Sequence, residues 1–254
     1  MQHLIYKLLN KFLMNPVEKE ILKFFDNKNL TVFDVGCFRG SFTKNLIKFG
    51  LKFKIDFNFY LFDPNPNVKN YLSELMESKN IKYFDLALDN TNKQKKFYLN
   101  NFFEPSGSSL NTVCKDDKRW NFTRRIILQL LQPYKKLKNF SEIYVKTQTV
   151  DDFCINENVK SIDLLKIDTE SNELNILKSA NNLLEGNKIN LIYTEISESK
   201  DKFDEKEKNV VDFLKIYNFE LIKTYKIRSA SILSNIKATD NIFLNKKFNN
   251  HKTT

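Results

Sequence analysis

The sequence predicts a doubly wound α/β fold, in which a mostly parallel sheet carries helices on both faces and ends in an antiparallel strand. Three observations predict it. Short β-rich runs alternate with helical patterns along most of the 254 residues. Repeated strand–helix–strand units require right-handed crossovers, and these make the strands parallel. The last two strands have no helix between them and should therefore pair antiparallel.

The first two units are the clearest. A β-rich run at 30–36 precedes a helix that begins at Ser41 and is expected to end at Gly50, because Phe42, Leu46 and Phe49 share one face. A second strand at 57–63 leads into a helical pattern from about Val68.

The middle of the chain interrupts the alternation. A third strand spans 81–88, and "KKFYLN" at 95–100 is interpreted as an extra strand. Residues 100–141 contain the only tryptophan and fit neither pattern, so they are interpreted as an inserted lid or substrate segment. "EIYVKTQTVDDF" at 142–153 is predicted to resume as a strand.

The second half returns to regular alternation, starting with a nearly continuous apolar strand, as expected for a buried parallel strand. Its predicted elements are a strand at 161–168, a helix along Leu174, Leu177, Ala180 and Leu184 that ends at Gly186, a strand at 189–197, a helix across 207–218, and final strands at 219–227 and 241–248.

Composition predicts one domain over residues 1–254, with a helical extension at 1–28. Hydrophobic content is 41%, and no linker or repeat divides the chain. The extension is interrupted by Lys7, Asn10 and Lys11, which argues against a signal peptide or membrane span. Its apolar stripe, formed by Leu4, Leu8 and Phe12, either packs on the domain, which we favour, or rests on a membrane surface.

The net charge of +10 admits a nucleic-acid, membrane or acidic partner, but lysines scattered through an Asn-, Ile- and Phe-rich chain argue only weakly for one. The three cysteines, Cys37, Cys114 and Cys154, form no C-x-x-C pair, which argues against a disulfide framework and a zinc site. We therefore expect a reducing, cytoplasmic environment.

The end of the first strand is a candidate ligand turn. Asp34, Gly36 and Gly40 stand where the backbone must turn sharply and a ligand can approach, although the middle glycine of the dinucleotide fingerprint is missing. A tight turn without any ligand is the alternative. Asp63, which ends the second strand, is placed to accept hydrogen bonds from ribose hydroxyls, or else to start a helix.

Carboxylates follow the strand at 161–168. In a sheet of order 3-2-1-4-5, the ends of the first and fourth strands frame the ligand crevice, so Asp168 and Glu170 should line it, and Glu195 points to the same rim. Both histidines, His3 and His251, lie near the termini. Proton removal therefore falls to a carboxylate or to Lys166. Two alternatives are helix capping by Thr169 or Ser171 and Mg²⁺ binding by the three carboxylates.

Five motifs together resemble the FkbM-type methyltransferases, a branch of the class I S-adenosylmethionine-dependent enzymes. They are "TVFDVGCFRGSFT", "LALDN", "GSSL", "VDDF" and "IDLLKIDTESNELNILKSA", in order between residues 30 and 245. The family's L-K-I-D-x-E-G block has Ser171 at its glycine here, and its D-x-G-A-N-x-G motif has Cys37 and Phe38 in the middle places.

The resemblance implies a Rossmann-like sheet, S-adenosylmethionine as cofactor, and methyl transfer to a hydroxyl of a small molecule, often a sugar or secondary-metabolite oxygen. It implies the following roles: Asp34, Gly36 and Gly40 at the methionyl part, Asp63 at the ribose, Ala87 and Leu88 at the adenine, Asp168 and Glu170 at the methyl and acceptor, and Ser108 and Ser109 closing over the site. Two rival functions are an RNA or protein methyltransferase, using the basic segment 115–138, and a cofactor-binding scaffold without catalysis.

Overall fold

A seven-stranded sheet forms the centre of the computed structural model, which describes residues 17–26, 29–100, 108–111, 140–226 and 235–249. A separate three-stranded sheet stands beside it. The predicted extension at 1–28 and insertion at 100–141 therefore fall largely outside the described residues.

The elements are named here in chain order. The first half contains α1 (Val17–Leu22), β1 (Asn29–Val35), α2 (Ser41–Phe53), β2 (Asp56–Phe62), α3 (Val68–Tyr71), a 3₁₀ turn (Leu75–Glu77), β3 (Ile81–Phe84), β4 (Ala87–Leu88) and β5 (Gln94–Asn100). The second half contains β6 (Phe140–Gln148), α4 (Val150–Asn156), β7 (Ile162–Ile167), α5 (Glu173–Lys178), α6 (Asn181–Glu185), β8 (Ile189–Ser199), α7 (Phe203–Ile216), β9 (Phe219–Lys226), β10 (Ile236–Asn245) and α8 (Lys246–Asn249).

The main sheet has the order β3-β2-β1-β7-β8-β10-β9. The five strands from β3 to β8 pair in parallel, and β10 pairs antiparallel with both β8 and β9. This confirms the predicted doubly wound sheet with an antiparallel last strand. The strand order reverses between β1 and β7, so a crevice forms at their carboxyl ends.

The central strands are apolar on both faces because helices cover both. On one face Phe33 packs with Phe153 of α4, and Leu214 of α7 joins the same cluster. On the other face Val32 shares a cluster with Leu46 of α2 and with residues of α1. Each such buried side chain contributes about 1.5–3 kcal/mol relative to exposure, so both helical layers hold the crevice walls in place.

The second sheet, of order β4-β6-β5, corrects two predicted strands. The strand predicted at 81–88 is divided, with β3 in the main sheet and β4 in the second sheet. The strand predicted at 142–153 ends at Gln148, because the Thr149 hydroxyl accepts a hydrogen bond from Asp152 N at 3.1 Å and caps α4.

Helix boundaries also differ from the prediction. Helix α2 continues past Gly50 to Phe53. Gly50 lies inside the helix because a Cβ there would lie 2.2 Å from the Phe57 ring. The helical pattern from Val68 gives only α3 and a 3₁₀ turn. The predicted helix before Gly186 is broken into α5 and α6. Tertiary packing, which residue periodicity does not record, decides these ends.

No helix in the described ranges combines the length and the apolar character needed to cross a bilayer.

Candidate active site

The two rims of the crevice touch each other. Asp168 N donates to Val35 O at 3.0 Å, which ties the end of β7 to the end of β1. At Gly36, where φ is +74°, a Cβ would lie 1.8 Å from Asp168 O. Only glycine accommodates both the left-handed backbone and this close approach. We call residues 36–40 the glycine turn and residues 168–171 the acidic turn.

Gly40 serves a different purpose from Gly36. Its φ is +68°, and a Cβ would meet Leu75 Cδ1 at 2.6 Å and Leu72 Cδ2 at 2.9 Å. Gly40 thus precedes the first residue of α2 and allows Leu72 and Leu75 to pack closely against its backbone. It is not among the described residues that line the cavity at the crevice.

A cavity of about 130 Å³, open to solvent, lies where the rims meet. The described residues that line it are Val35, Gly36, Phe38, Phe62, Asp63, Pro64, Asn65, Leu86, Ala87, Leu88, Phe97, Ser108, Leu110, Asp168, Thr169, Glu170 and Asn172.

Asp63 is a buried carboxylate on the cavity wall. Its Oδ2 accepts from Phe38 N and its Oδ1 from Asn65 N, each at 3.0 Å. Burial raises the pKa of Asp63 to about 6, against these two hydrogen bonds, which lower it. A carboxylate has about four lone-pair sites, so each oxygen can accept one more hydrogen bond from a ligand.

Lys166 lies beneath both turns and is almost fully buried. Its Nζ lies 2.9 Å from Asp34 Oδ1 and 3.5 Å from Asp168 Oδ2, and it donates to Gly36 O at 2.8 Å. Asp34 also accepts from Thr43 Oγ1 at 2.7 Å. Burial disfavours the ammonium, but the two carboxylates outweigh it and raise the pKa of Lys166. Lys166 and Asp34 therefore support the rims from behind the described cavity wall.

Three carboxylates follow one face of the sheet beyond Lys166. Lys166 is in register with Tyr193, and Asp240 is in register with Glu195, so Asp168, Glu195 and Asp240 project to the same side. Burial, followed by the charges of Asp168 and Glu170, raises the pKa of Glu195 well above its usual range.

The same row contains a residue that sequence reasoning missed. Burial, then the charge of Asp168, raises the pKa of Asp240 to about 7, although a hydrogen bond from Tyr193 opposes the shift. Glu195 and Asp240 therefore hold protons at neutral pH more readily than free carboxylates do. Asp240 gave no local signal, because only the position of β10 next to β8 brings it here.

The acidic turn has an unusual backbone. Glu170 and Ser171 have φ values of 53° and 82°, although neither is glycine. Ser109 Oγ donates to Glu170 O at 2.6 Å, and Ser171 Oγ donates to Ser197 O at 2.6 Å. Ser171 occupies the family's glycine position, and its left-handed backbone is the conformation that favours glycine.

Glu173 supports the acidic turn from below. It is fully buried, its Oε1 accepts from Ser171 N at 2.8 Å, and its Oε2 lies 2.9 Å from Lys206 Nζ. Predicted caps at Thr169 and Ser171 are not observed, since α5 begins after Asn172 without a side-chain cap.

The structure brings together on the cavity wall seven of the residues that the sequence singled out: Gly36, Asp63, Ala87, Leu88, Ser108, Asp168 and Glu170. It does not place Asp34, Gly40, Ser109, Lys166 or Glu195 on the described wall. Phe38, Asn65 and Asn172 also line the cavity. In the sequence, the only sign of this role was that they lie in or beside the glycine turn, the end of the second strand and the acidic turn.

Several predicted residues cannot be placed. His3, Cys114, His251 and the basic segment 115–138, with Trp120, Phe122, Arg124, Arg125 and Tyr134, lie outside the described residues. Cys37 and Cys154 are buried free thiols. Within the part of the chain that the structure describes, no three histidine, cysteine or acidic side chains are grouped so that they could hold a metal ion.

Comparisons with known proteins identify the family of the chain. Residues 34–221 match the methyltransferase FkbM domain family. The 2-O-methyltransferase NoeI of Sinorhizobium fredii is 24% identical over 187 residues, which are 72% of this chain and 70% of that protein.

Two solved structures are similar at low identity. Methyltransferase FkbM from Methylobacillus flagellatus has a TM-score of 0.50 and 10% identity, over 84% of this chain and 44% of that one. This chain therefore spans less than half the length of that protein. The N-methyltransferase NodS from Bradyrhizobium japonicum has a TM-score of 0.43 and 9% identity, over 90% and 93% of the two chains. Since the family match covers well over half of the 254 residues, the chain belongs to the FkbM methyltransferase family.

Proposed function

We propose that the protein transfers a methyl group from S-adenosylmethionine to a hydroxyl of a small molecule, with a sugar or a secondary metabolite as the acceptor class. The observation that carries this proposal is the meeting of the glycine turn and the acidic turn at one cavity, with Gly36 against Asp168. Family membership supports methyl transfer, and the name of the 2-O-methyltransferase NoeI supports oxygen as the accepting atom.

The residues on the β1–β2 side fit an adenosine-containing cofactor. Gly36 lines the cavity where its backbone packs against Asp168 O, and Asp63 has acceptor capacity for two ribose hydroxyls. Ala87 and Leu88 add an apolar surface on which adenine can lie. When bound, the cofactor supplies a sulfonium methyl group to the acceptor oxygen.

The acidic turn is the proposed acceptor side. Asp168 lines the cavity, and we assign it the role of general base that takes the hydroxyl proton. A base so placed contributes typically about 10²–10⁴ in rate. We assign Glu170, on the same wall, the role of orienting the acceptor. Holding the acceptor in line with the methyl carbon accounts for much of the remaining rate enhancement.

Lys166 is reassigned from proton removal to positioning. An ammonium whose pKa is raised by two carboxylates keeps its proton at neutral pH, and it cannot act as a base. Its bonds to Gly36 O and its ion pairs with Asp34 and Asp168 instead fix the two turns relative to each other. Glu195 stands in the row beside Asp168, and we assign it to the acceptor side as well.

Two measurements test the proposal. Calorimetry with S-adenosylhomocysteine should show binding, and absence of binding would favour a scaffold without catalysis. Labelled S-adenosylmethionine incubated with a panel of methyl glycosides should give a methyl-sized mass gain on at least one of them. If S-adenosylhomocysteine binds but neither glycosides nor other hydroxyl compounds gain mass, the proposed acceptor class is wrong.

The Asp168→Asn variant tests the base. It should lower kcat by about 10²-fold or more, while S-adenosylhomocysteine affinity stays within about threefold. Full activity in this variant would remove Asp168 from the role.

A further inference from the structure

The acidic turn is a strained segment at the wall of the proposed site. Its two left-handed residues, Glu170 and Ser171, have side chains, and non-glycine residues hold such backbone angles only when their surroundings fix them. The contacts that hold these two residues therefore help to shape the wall of the proposed site.

One set of contacts comes from far along the chain. Ser109 Oγ lies 2.6 Å from Glu170 O and 3.0 Å from Thr169 O, and Asn111 Nδ2 donates to Ser171 O at 2.6 Å. These bonds join positions about sixty residues apart. The Ser109 hydroxyl has one proton, which is within reach of Thr169 O and Glu170 O, and the Asn111 amide donates to the next carbonyl oxygen, Ser171 O.

The segment that supplies these donors is itself anchored to the second sheet. Tyr98 of β5 donates through its N–H to Ser109 O at 2.8 Å, and Ser109 N donates back to Tyr98 O at 3.2 Å. Asn111 N donates to Ser109 Oγ at 3.0 Å, and Asn100 N donates to Ser108 Oγ at 3.0 Å. The donors are thus held by a β-sheet rather than by a loose loop.

The other side of the turn is held by the main sheet. Ser171 Oγ donates to Ser197 O of β8, and Ser171 N donates to Glu173 Oε1. The other oxygen of Glu173, Oε2, forms an ion pair with Lys206. The acidic turn therefore bridges the two sheets, and hydrogen bonds from both sides fix its backbone.

We propose that Ser109 and Asn111 are positioning residues, which hold the acidic turn so that Glu170 stays at the acceptor side of the cavity. The inference rests on the proposed function, because it takes this side as the place where the acceptor binds. Neither side chain is among the described residues that line the cavity, so both act through the turn. Ser109 and Asn111 thereby take part in acceptor binding without touching the acceptor.

The test compares Asn111→Ala and Asn111→Asp with Asn58→Ala. The aspartate keeps the shape of the side chain and removes the donor to Ser171 O. Asn58 also donates a single side-chain hydrogen bond, to Asn29 Oδ1, but at the start of β2, the opposite end of the parallel strands from the crevice. An ordinary hydrogen bond corresponds to roughly a fivefold change in an equilibrium constant.

The first readout needs no acceptor. Hydrogen exchange of the amides at 169–172, followed by mass spectrometry, should be about fivefold faster in both Asn111 variants and unchanged in Asn58→Ala. S-adenosylhomocysteine affinity should stay within about twofold in all three. Wild-type exchange at 169–172 in the Asn111 variants would overturn the proposal.

The second readout separates positioning from general support. With the methyl glycoside that wild type methylates fastest, acceptor KM should rise about fivefold or more in the Asn111 variants, and the KM for S-adenosylmethionine should not. Equal changes in both KM values would overturn the positioning role. If wild type methylates neither glycosides nor other hydroxyl compounds, the proposed acceptor class fails, and the exchange experiment still decides whether Asn111 holds the turn.

Discussion

The glycine turn and the acidic turn solve the same geometric problem in different ways. Each reverses the chain at the end of a buried parallel strand, and each needs left-handed backbone angles. The glycine turn meets the need at Gly36 and Gly40 with residues that have no Cβ, and at Phe38, whose φ is 45°, with a backbone N–H that donates to Asp63 Oδ2. The acidic turn meets it at Glu170 and Ser171 with side chains that other segments hold in place.

This difference decides which turn tolerates change. A glycine enclosed by backbone atoms fails abruptly when a side chain is added, because backbone cannot move aside as a flexible side chain can. A turn held by several hydrogen bonds loses stability in small steps as each bond is removed. The following predictions test that contrast, from the largest expected effect to the smallest.

Gly36→Ala should have the largest effect. The added Cβ would lie 1.8 Å from Asp168 O and would force the two rims apart. We expect a loss of about 4 kcal/mol or more in the free energy of unfolding, measured by urea denaturation, together with loss of S-adenosylhomocysteine binding. Gly186→Ala is the matched control, since its nearest contact would be 3.1 Å, and it should lose no more than about 1 kcal/mol. Similar losses in both variants would contradict the contrast.

Lys166→Met should come next. It leaves the carboxylate of Asp34 buried without its ion pair, a change that costs about 3–5 kcal/mol in comparable buried pairs. Chemical denaturation measures the loss. The control Lys82→Met breaks the exposed pair with Glu157, which solvent screens, and should leave stability nearly unchanged. A stable Lys166→Met protein would show that the cation does not join the two turns.

Cofactor binding on the side of the glycine turn should also depend on pH, because Asp63 lies there. The pKa of its carboxyl is about 6, and the ionised form is the better acceptor for ribose hydroxyls. S-adenosylhomocysteine affinity should therefore rise as pH increases through about 6, when measured by calorimetry between pH 5 and pH 7.5. Asp63→Asn should flatten this profile, and a wild-type profile that is already flat would contradict the assignment.

The stability contribution of the same group has the opposite sign. Because the folded state raises the pKa of Asp63 from 3.8, it binds the proton more tightly than the unfolded chain does. This contribution is fully present below about pH 3.8 and is lost as pH rises through about 6. The protein thus gives up some stability to keep an ionised acceptor at the cavity.

Substitutions of Ser171 should give the smallest effects. Ser171→Ala loses the hydrogen bond to Ser197 O but keeps a side chain at φ 82°, and should lose about 1 kcal/mol. Ser171→Gly loses the same bond and gains backbone freedom that suits this angle, so its stability should remain within about 1 kcal/mol of wild type and above that of Ser171→Ala. Thermal or urea denaturation can rank the three proteins, and the reverse order would show that the backbone angle carries no cost.

The sequence was informative where backbone chemistry leaves a local mark. Strand–helix alternation predicted the sheet, and the glycines with Asp63 and Asp168 marked positions at the ends of adjacent strands. It was uninformative where distant segments meet. Nothing near Asn111 or Asp240 in the chain shows that one holds the acidic turn and the other extends the carboxylate row. Such roles depend on sheet order and on contacts across about sixty residues, which periodicity cannot express.

The position of β10 has a consequence for how the molecule is made. β10 lies between β8 and β9, although β9 precedes it in the chain, and β9 has no other partner among the described strands. During synthesis β9 leaves the ribosome before the strand it must lie against. The sheet is therefore completed when the ten residues of Ile236–Asn245 take their place between β8 and β9, which are synthesised earlier. Asp240 arrives with them, so a growing chain presents the full carboxylate row only when this strand has been inserted.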